Sequence, residues 1–84
     1  MYEVLVERRA ERDLGKLPRS VVDRVAPVLR ELAENPRPVG CRKLVGATRA
    51  YRVRVGDYRI VYEIDDASRL VRVMFIRHRR EAYR

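Results

Sequence analysis

Hydrophobic and polar positions alternate at the start of the chain and then change their period. Over residues 2–7 apolar side chains fall mainly at every second position, which predicts a β-strand. The spacing then becomes that of a short amphipathic helix, which Gly15 and Pro18 should close. The apolar face of this helix consists of Ala10, Leu14 and Leu17.

A second, longer amphipathic helix is predicted over residues 19–35. Its apolar stripe comprises Val22, Val25, Leu29 and Leu32. Pro27 lies within the stripe and removes one backbone hydrogen bond, so we expect the helix to bend there. The stripe continues beyond Pro27, and the residue before Pro36 avoids the helical region, so the helix should end at Asn35.

The rest of the chain predicts three strands joined by tight turns. Residues 50–55, 57–65 and 69–78 alternate and are rich in valine, isoleucine and tyrosine. Gly56 and Asp57 supply the first turn and residues 65–68 the second. These turns are too short for crossover helices, so the strands should pair antiparallel. The order β-α-α-β-β-β predicts one α+β domain over residues 1–84, with two helices on one face of a four-stranded, mainly antiparallel sheet.

Alternation along the predicted strands places several arginines on one face. Arg52 and Arg54 point away from Tyr51 and the valines of their strand, and Arg59 points away from Ile60 and the neighbouring tyrosines. We expect the two helices to cover the face of the sheet that carries the tyrosines and valines, so the tyrosines are predicted to be core residues. The three arginines should then lie on the open face of the sheet.

The last predicted strand is apolar on both sides, as is typical of a central strand. Strict alternation predicts that its apolar residues divide between the two faces of the strand. One face would carry Val71, Val73 and Phe75, and the other Leu70, Met74 and Ile76. The strand ends in a polar cluster that contains His78, Arg79, Arg80, Tyr83 and Arg84.

The formal net charge of +8 is unevenly distributed along the chain. Residues 1–41 carry eight basic and seven acidic groups, whereas residues 42–84 carry twelve basic and five acidic ones. Like charges that face one another on neighbouring strands destabilise a sheet. In residues 42–84, five acidic groups cannot neutralise twelve basic ones, so most of this positive charge has no partner in that half of the sequence. The basic half favours a face that binds a polyanion, nucleic acid above all. The alternative is a solvated face on which the arginines pair with acidic neighbours.

Several function classes have no support in the sequence. Cys41 is the single cysteine, which excludes an internal disulfide and argues against a metal site. The motifs of nucleotide hydrolysis, zinc proteases and serine hydrolases are missing. We therefore expect no metal and no cofactor. The apolar runs are too short for a signal peptide or a membrane span, so we also expect a cytoplasmic protein without membrane contact.

Metal-independent cleavage of RNA is a chemistry that the basic cluster can serve. The reaction needs a base for the 2′-hydroxyl proton, cations for the charge on phosphorus and a proton donor for the leaving oxygen. Arginine supplies fixed charge and bidentate phosphate contacts but stays protonated. Histidine titrates near roughly 6.5 and tyrosine near roughly 10. His78 and Tyr83 are therefore the candidate proton-exchanging groups.

Four segments carry a resemblance to a known family. They are A-x-x-D-L-x-K-L-P at residues 10–18, N-P-R-P-x-G-x-x-K-L-x-G at 35–46, Y-R-V-R-V-G-D-Y-R-I-V-Y at 51–62 and H-R-R-E-A-Y-R at 78–84. In this order and length the chain resembles the RelE/ParE toxin superfamily from end to end, and its RelE branch in particular. The resemblance implies an mRNA interferase that cuts mRNA in the A site of the 70S ribosome. It also implies an acidic, RelB-like antitoxin, and binding to operator DNA only through the toxin–antitoxin complex.

The resemblance further implies roles at five positions. Tyr83 would take the 2′-proton, Arg59 and Arg79 would stabilise the phosphorane, and Arg52 and Arg54 would bind RNA. By its chemistry His78 is the second choice as base, and Lys43, Arg80 and Arg84 are further candidate RNA-binding residues of the basic half. The best-known RelE toxins carry lysines where this chain has Arg52 and Arg54, and an arginine cannot act as a base there.

Other functions remain open on the same fold. A ParE-type toxin poisons DNA gyrase and has no need for the arginine and tyrosine set. A catalytically weak module would use the basic face to bind the antitoxin alone, and an inactive relic would have no activity.

Overall fold

The computed structural model describes residues 1–80. Two helices and five strands form in the order β1 (Glu3–Val6), α1 (Arg8–Lys16), α2 (Arg19–Glu34), β2 (Arg42–Lys43), β3 (Ala50–Val55), β4 (Tyr58–Asp65) and β5 (Leu70–His78). The predicted elements all form, and α1 continues through Gly15 for one further residue. No helix within residues 1–80 has both the length and the apolar character needed to cross a membrane.

The sheet is mixed and has five strands in the order β1-β5-β4-β3-β2. The prediction of four mainly antiparallel strands was therefore wrong in two respects. β2 is two residues long, too short to leave an alternating pattern in the sequence. β1 pairs parallel to β5, and the helices and strands between them provide the long connection that a parallel pair needs.

β5 is an interior strand with β1 and β4 on either side of it, which agrees with its two apolar sides, although β4 is the middle strand of the five. Its register with β4 shifts between Val61 and Tyr62, where Val61 pairs with Phe75 and Tyr62 with Val73. The extra residue, Met74, reverses the alternation along β5. The strict alternation predicted above is therefore wrong beyond Val73: Phe75 turns to the open face, opposite Val61.

The core lies between the helices and one face of the sheet. Its largest fully buried side chains are Tyr62, Leu32, Ile60, Val25, Val71 and Val73. Tyr51 and Tyr58 are partly buried and pack against this core, on the side that alternation predicted. Burial of this apolar surface supplies most of the folding free energy of so small a domain.

Helix α1 continues the sheet edge where β1 ends. Directly after β1, the backbone amide of Glu7 still pairs with β5, because it donates a hydrogen bond to the Val73 carbonyl at 2.9 Å. Farther along β5, the Ile76 amide donates instead to Oδ2 of Asp13 at 3.0 Å. A side chain of α1 thus satisfies a backbone donor that a strand would otherwise pair.

The segment after α2 is fastened to the sheet by side-chain hydrogen bonds. The buried Tyr62 hydroxyl donates to the Pro36 carbonyl at 2.8 Å, and burial raises the pKa of Tyr62 well above its ordinary value. Arg37 donates to both carboxylate oxygens of Asp66, at 3.2 and 2.8 Å. The Tyr2 hydroxyl donates to the same carboxylate at 2.6 Å. Three distant parts of the chain therefore meet beside Asp66.

Replacement of Tyr62 by phenylalanine should leave the buried Pro36 carbonyl without its donor. We expect a loss of about 1–3 kcal/mol in the free energy of unfolding, the usual cost of an unpaired buried polar group. Urea denaturation measures it. Tyr51→Phe is the matched control, because the Tyr51 hydroxyl only accepts an exposed hydrogen bond from Arg37. Equal losses in the two variants would contradict the role of the Tyr62 hydroxyl.

Replacement of Asp66 by asparagine should change the acid stability of the protein. Hydrogen bonds from Arg37 and Tyr2 lower the pKa of Asp66 to about 2. The charged carboxylate therefore stabilises the folded protein at pH values above the ordinary pKa of a carboxyl group. This contribution disappears as the pH falls from about 4 to about 2. The variant should be less stable at neutral pH and lose stability less steeply in that window. Urea denaturation across this pH range checks it, with Asp23→Asn on α2 as the control; parallel curves for Asp66→Asn and wild type would refute it.

Candidate nucleic-acid interface

Arginines occupy adjacent strands in one row across the open face of the sheet. Arg54 on β3 is in register with Arg59 on β4, which is in register with Arg77 on β5. Residues in register on neighbouring strands share a face and lie about 5 Å apart. The flanking residues Val53 and Val55 are buried on the opposite, helix-covered side. The row therefore places three guanidinium groups on the exposed surface.

A second row runs parallel to the first. Arg52 is in register with Val61, which pairs in turn with Phe75. On the other side Arg52 is in register with Arg42 of β2. This row is basic towards β2 and apolar towards β5.

A shallow pocket at the β3–β4 turn brings three of the predicted site residues together. Arg54, Arg59 and Arg79 all line it, with Gly56, Asp57 and Tyr58 completing the wall. The Arg79 amide donates to the Asp57 carbonyl at 2.7 Å, and its Nε lies 3.9 Å from Oδ1 of Asp57. The turn therefore positions Arg79 beside the arginines of the two strands.

The turn that holds this pocket depends on Gly56. Its φ of +60° lies in the left-handed region, where a side chain is strained. A Cβ at this position would also lie 3.0 Å from Nη1 of Arg24 on α2. The glycine therefore allows the sharp turn and leaves room for the end of the flexible Arg24 side chain.

Arg59 is the most enclosed of the pocket arginines. Its side chain is half-buried and its Nε atom is buried, whereas Arg54 and Arg79 are exposed. A guanidinium stays charged even when it is partly desolvated. Arg59 therefore supplies a fixed positive charge in the wall of the pocket, partly shielded from solvent, where electrostatic interactions are stronger than in open solvent.

His78 lies on the other side of the sheet. It is in register with Tyr58, and the two rings meet edge to face with centroids 5.2 Å apart. Its Nδ1 accepts a hydrogen bond from the Arg80 amide at 3.2 Å. His78 lines a separate pocket with the end of α1, and Tyr58 is the residue that both pockets share. The structure does not bring His78 together with Arg54, Arg59 and Arg79.

The remaining predicted site residues take different places. Lys43 is in register with Tyr51 and so belongs to the helix-covered side of the sheet edge, while its neighbour Arg42 shares the face of Arg52. Arg80 is exposed at the end of β5. Tyr83 and Arg84 lie outside the described residues.

Sequence reasoning missed Arg42 and Arg77 as members of the open face. Arg42 belongs to a strand too short to be recognised. Arg77 reaches the open face because of the extra residue in β5, which strict alternation does not anticipate. Within residues 1–80, no group of three histidine, cysteine, aspartate or glutamate side chains is arranged to hold a metal ion.

Comparison with known proteins agrees with this fold. Residues 4–83 match the profile of the ParE toxin of type II toxin–antitoxin systems, parDE. Toxin RelE of Mycobacterium tuberculosis is 34% identical over 99% of this chain and 87% of its own length. Toxin RelG of the same organism is 36% identical over 99% of this chain and 97% of its own.

The archaeal RelE–RelB complex of Pyrococcus horikoshii provides a similar solved structure, with a TM-score of 0.83 and 25% identity. The match covers 93% of this chain and 94% of that one. The fold is thus that of a small toxin of a toxin–antitoxin system. The chain belongs to the ParE toxin family of type II toxin–antitoxin systems, within the RelE/ParE superfamily.

Inorganic phosphate should stabilise the protein by binding between the pocket arginines. A ligand at ten times its Kd adds about 1.4 kcal/mol to the free energy of unfolding, which raises Tm by several degrees in a domain of this size. Arg59→Gln should lose most of this shift, as thermal denaturation across a phosphate series would show. Arg30→Gln on α2 is the control and should keep it, because phosphate also stabilises proteins generally. Equal shifts in both variants would argue against an anion site in this pocket.

Proposed function

We propose that this toxin is a ribosome-dependent mRNA endonuclease that cuts mRNA in the A site and so inhibits translation. The observation that carries the proposal is the pocket in which Arg54, Arg59 and Arg79 meet. Three cations around one concave surface suit a phosphodiester whose charge increases during reaction. The similarity to proteins named Toxin RelE and Toxin RelG supports the same conclusion.

In the proposed reaction the 2′-oxygen attacks the adjacent phosphorus and the bond from phosphorus to the 5′-oxygen breaks. The products are a 2′,3′-cyclic phosphate and a 5′-hydroxyl end. Arg59 and Arg79 stabilise the additional negative charge on the phosphorane, and Arg54 with Arg52 holds neighbouring backbone phosphates. The leaving oxygen takes its proton from water. No metal or cofactor enters this scheme.

Tyr83 is the proposed base that accepts the 2′-proton. It follows Arg79 closely in the chain, whereas His78 faces α1 on the other side of the sheet. The hydrogen bond from the Arg80 amide also occupies Nδ1 of His78. We therefore give His78 a structural role at the end of β5. Arg80, Arg84 and Lys43 would contact RNA outside the pocket.

We further propose that a RelB-like antitoxin of acidic character holds the toxin inactive. The solved structures similar to this chain include complexes of RelE with RelB, from Pyrococcus horikoshii and Mycobacterium tuberculosis among others. An acidic segment that folds on binding complements a chain of net charge +8. Operator DNA would be bound through the antitoxin in the complex. The expected site of action is the cytoplasm, where ribosomes are found.

Inhibition of DNA gyrase is the second candidate function. The match to the ParE profile favours it, since gyrase poisoning is the activity that the resemblance to ParE-type toxins implies. A gyrase poison has no need for arginines gathered around one pocket, and this observation favours RNA cleavage. Under this alternative the open face would serve only for docking.

Cleavage of a defined mRNA, mapped by primer extension with and without programmed ribosomes, tests the proposal. We expect cuts at the A-site codon only when ribosomes are present. Arg79→Ala should reduce the rate about 100- to 1000-fold, as the loss of one transition-state stabiliser does. Tyr83→Phe should reduce it strongly, whereas His78→Ala and the control Arg30→Ala should cut nearly as fast as wild type.

A parallel supercoiling assay distinguishes the two candidates. Intact mRNA together with trapped gyrase–DNA complexes would refute mRNA cleavage and show that the protein is a gyrase poison. If Tyr83→Phe cleaves mRNA as fast as wild type, the protein is still an endonuclease, but Tyr83 is not its catalytic base.

A further inference from the structure

Two arginines from different elements contact the same aromatic ring at the edge of the open face. Cζ of Arg9 lies 4.9 Å from the centroid of the Phe75 ring, and Cζ of Arg77 lies 4.9 Å from the same centroid. A phenylalanine ring attracts a cation to its face and so orders both flexible side chains. Because each Cζ lies 4.9 Å from the same centroid, the two guanidinium groups are at most about 10 Å apart, although their charges repel.

Local structure explains how these three residues meet. The register shift in β5 turns Phe75 and Arg77 to the open face. Arg9 lies in the first turn of α1, the helix that continues the sheet edge beside this part of β5. The cluster therefore depends on the tertiary fold, and its members are far apart in the sequence.

No ion pair within residues 1–80 engages the two arginines of this cluster, and Asp13, the carboxylate beside this part of β5, accepts a hydrogen bond from the Ile76 amide. The ion pairs within residues 1–80 engage other arginines, namely Arg19, Arg37, Arg49, Arg72 and Arg79. No carboxylate of the described residues lies within 4.0 Å of the guanidinium of Arg9 or Arg77. A pair of ordered cations that no ion pair of the described residues engages is suited to bind an external anion such as phosphate.

We propose that Arg9, Phe75 and Arg77 form a second phosphate-binding site, which holds an RNA strand leaving the pocket of Arg54, Arg59 and Arg79. Arg77 is the last member of the row that begins at Arg54. The strand would cross β4 and β5, a distance of roughly 10 Å for two strand spacings. The inference rests on the proposed function in one respect, namely that RNA occupies the pocket.

The arrangement favours an RNA backbone over an acidic peptide. The arginine row gives a continuous path of guanidinium groups from the pocket to Phe75, and forked donors match phosphate oxygens along such a path. Both arginines already contact the Phe75 ring, so the cluster is better suited to bind phosphate than to stack a base. The expected contact is therefore independent of RNA sequence.

Salt-dependent binding of a labelled single-stranded RNA tests this site. Fluorescence anisotropy is measured across a KCl series, with a 2′-O-methyl RNA that cannot be cleaved. Each phosphate contact contributes about 0.7 to the slope of log affinity against log salt for single strands. The double variant Arg9→Gln/Arg77→Gln should therefore lower the slope by about 1.4. Arg12→Gln, on the same helix and exposed, is the matched control and should leave it unchanged.

A second double variant separates charge from folding. Arg9→Lys/Arg77→Lys keeps both positive charges and should recover most of the slope, while thermal denaturation shows whether each variant is folded. An unchanged slope in the folded glutamine variant would overturn the proposal. It would also be overturned if that variant lost affinity only for a polyglutamate peptide and not for RNA.

The ribosome assay above distinguishes this inference from the proposed function. A lower slope in the glutamine variant without cleavage by wild type on ribosomes would leave the second site in place and refute the endonuclease. Cleavage by wild type with equal slopes for the glutamine variant and Arg12→Gln would refute the second site alone. Failure of the wild-type protein to bind RNA at all would refute both.

Discussion

The shift of register between β4 and β5 is the constraint on which the open face depends. One extra residue, Met74, allows Val71 and Val73 to remain in the core while Ile76 also faces the helices. The same residue turns Arg77 to the opposite side. Without Met74, strict alternation would place Arg77 on the same face as Val71 and Val73, towards the core, and Ile76 on the open face. A local irregularity thus reconciles burial of apolar side chains with exposure of positive charge.

The charge on the open face opposes the stability of the isolated domain. Neighbouring arginines in one row repel each other, and Arg59 is partly removed from solvent as well. The fold compensates elsewhere, through the fully buried apolar side chains and the Tyr62 hydrogen bond beneath α2. A site prepared for an anion before it arrives needs no reorganisation when it binds, which is the advantage that preorganised charges give a catalyst.

The sequence was sufficient for the features that depend on local periodicity. It predicted both helices, the three long strands and the open-face positions of Arg52, Arg54 and Arg59. It was insufficient where a feature depends on pairing between distant residues. The parallel partner of β1 and the two-residue β2 leave no periodic signal, and the position of His78 follows from the register shift. The predicted proximity of His78 to the arginines came from sequence adjacency, which does not specify the face of a strand.

The parallel pairing of β1 with β5 has a consequence for the order of events during synthesis. Glu3 is in register with Leu70, so the first strand has no strand partner until the chain has been synthesised beyond Leu70. Closure of so long a loop is slow in comparison with local folding. The parallel edge of the sheet is therefore completed last, whereas β3, β4 and β5, which carry the arginine row, pair with their neighbours through short turns. The basic face can thus assemble before the first strand joins the sheet and closes the fold.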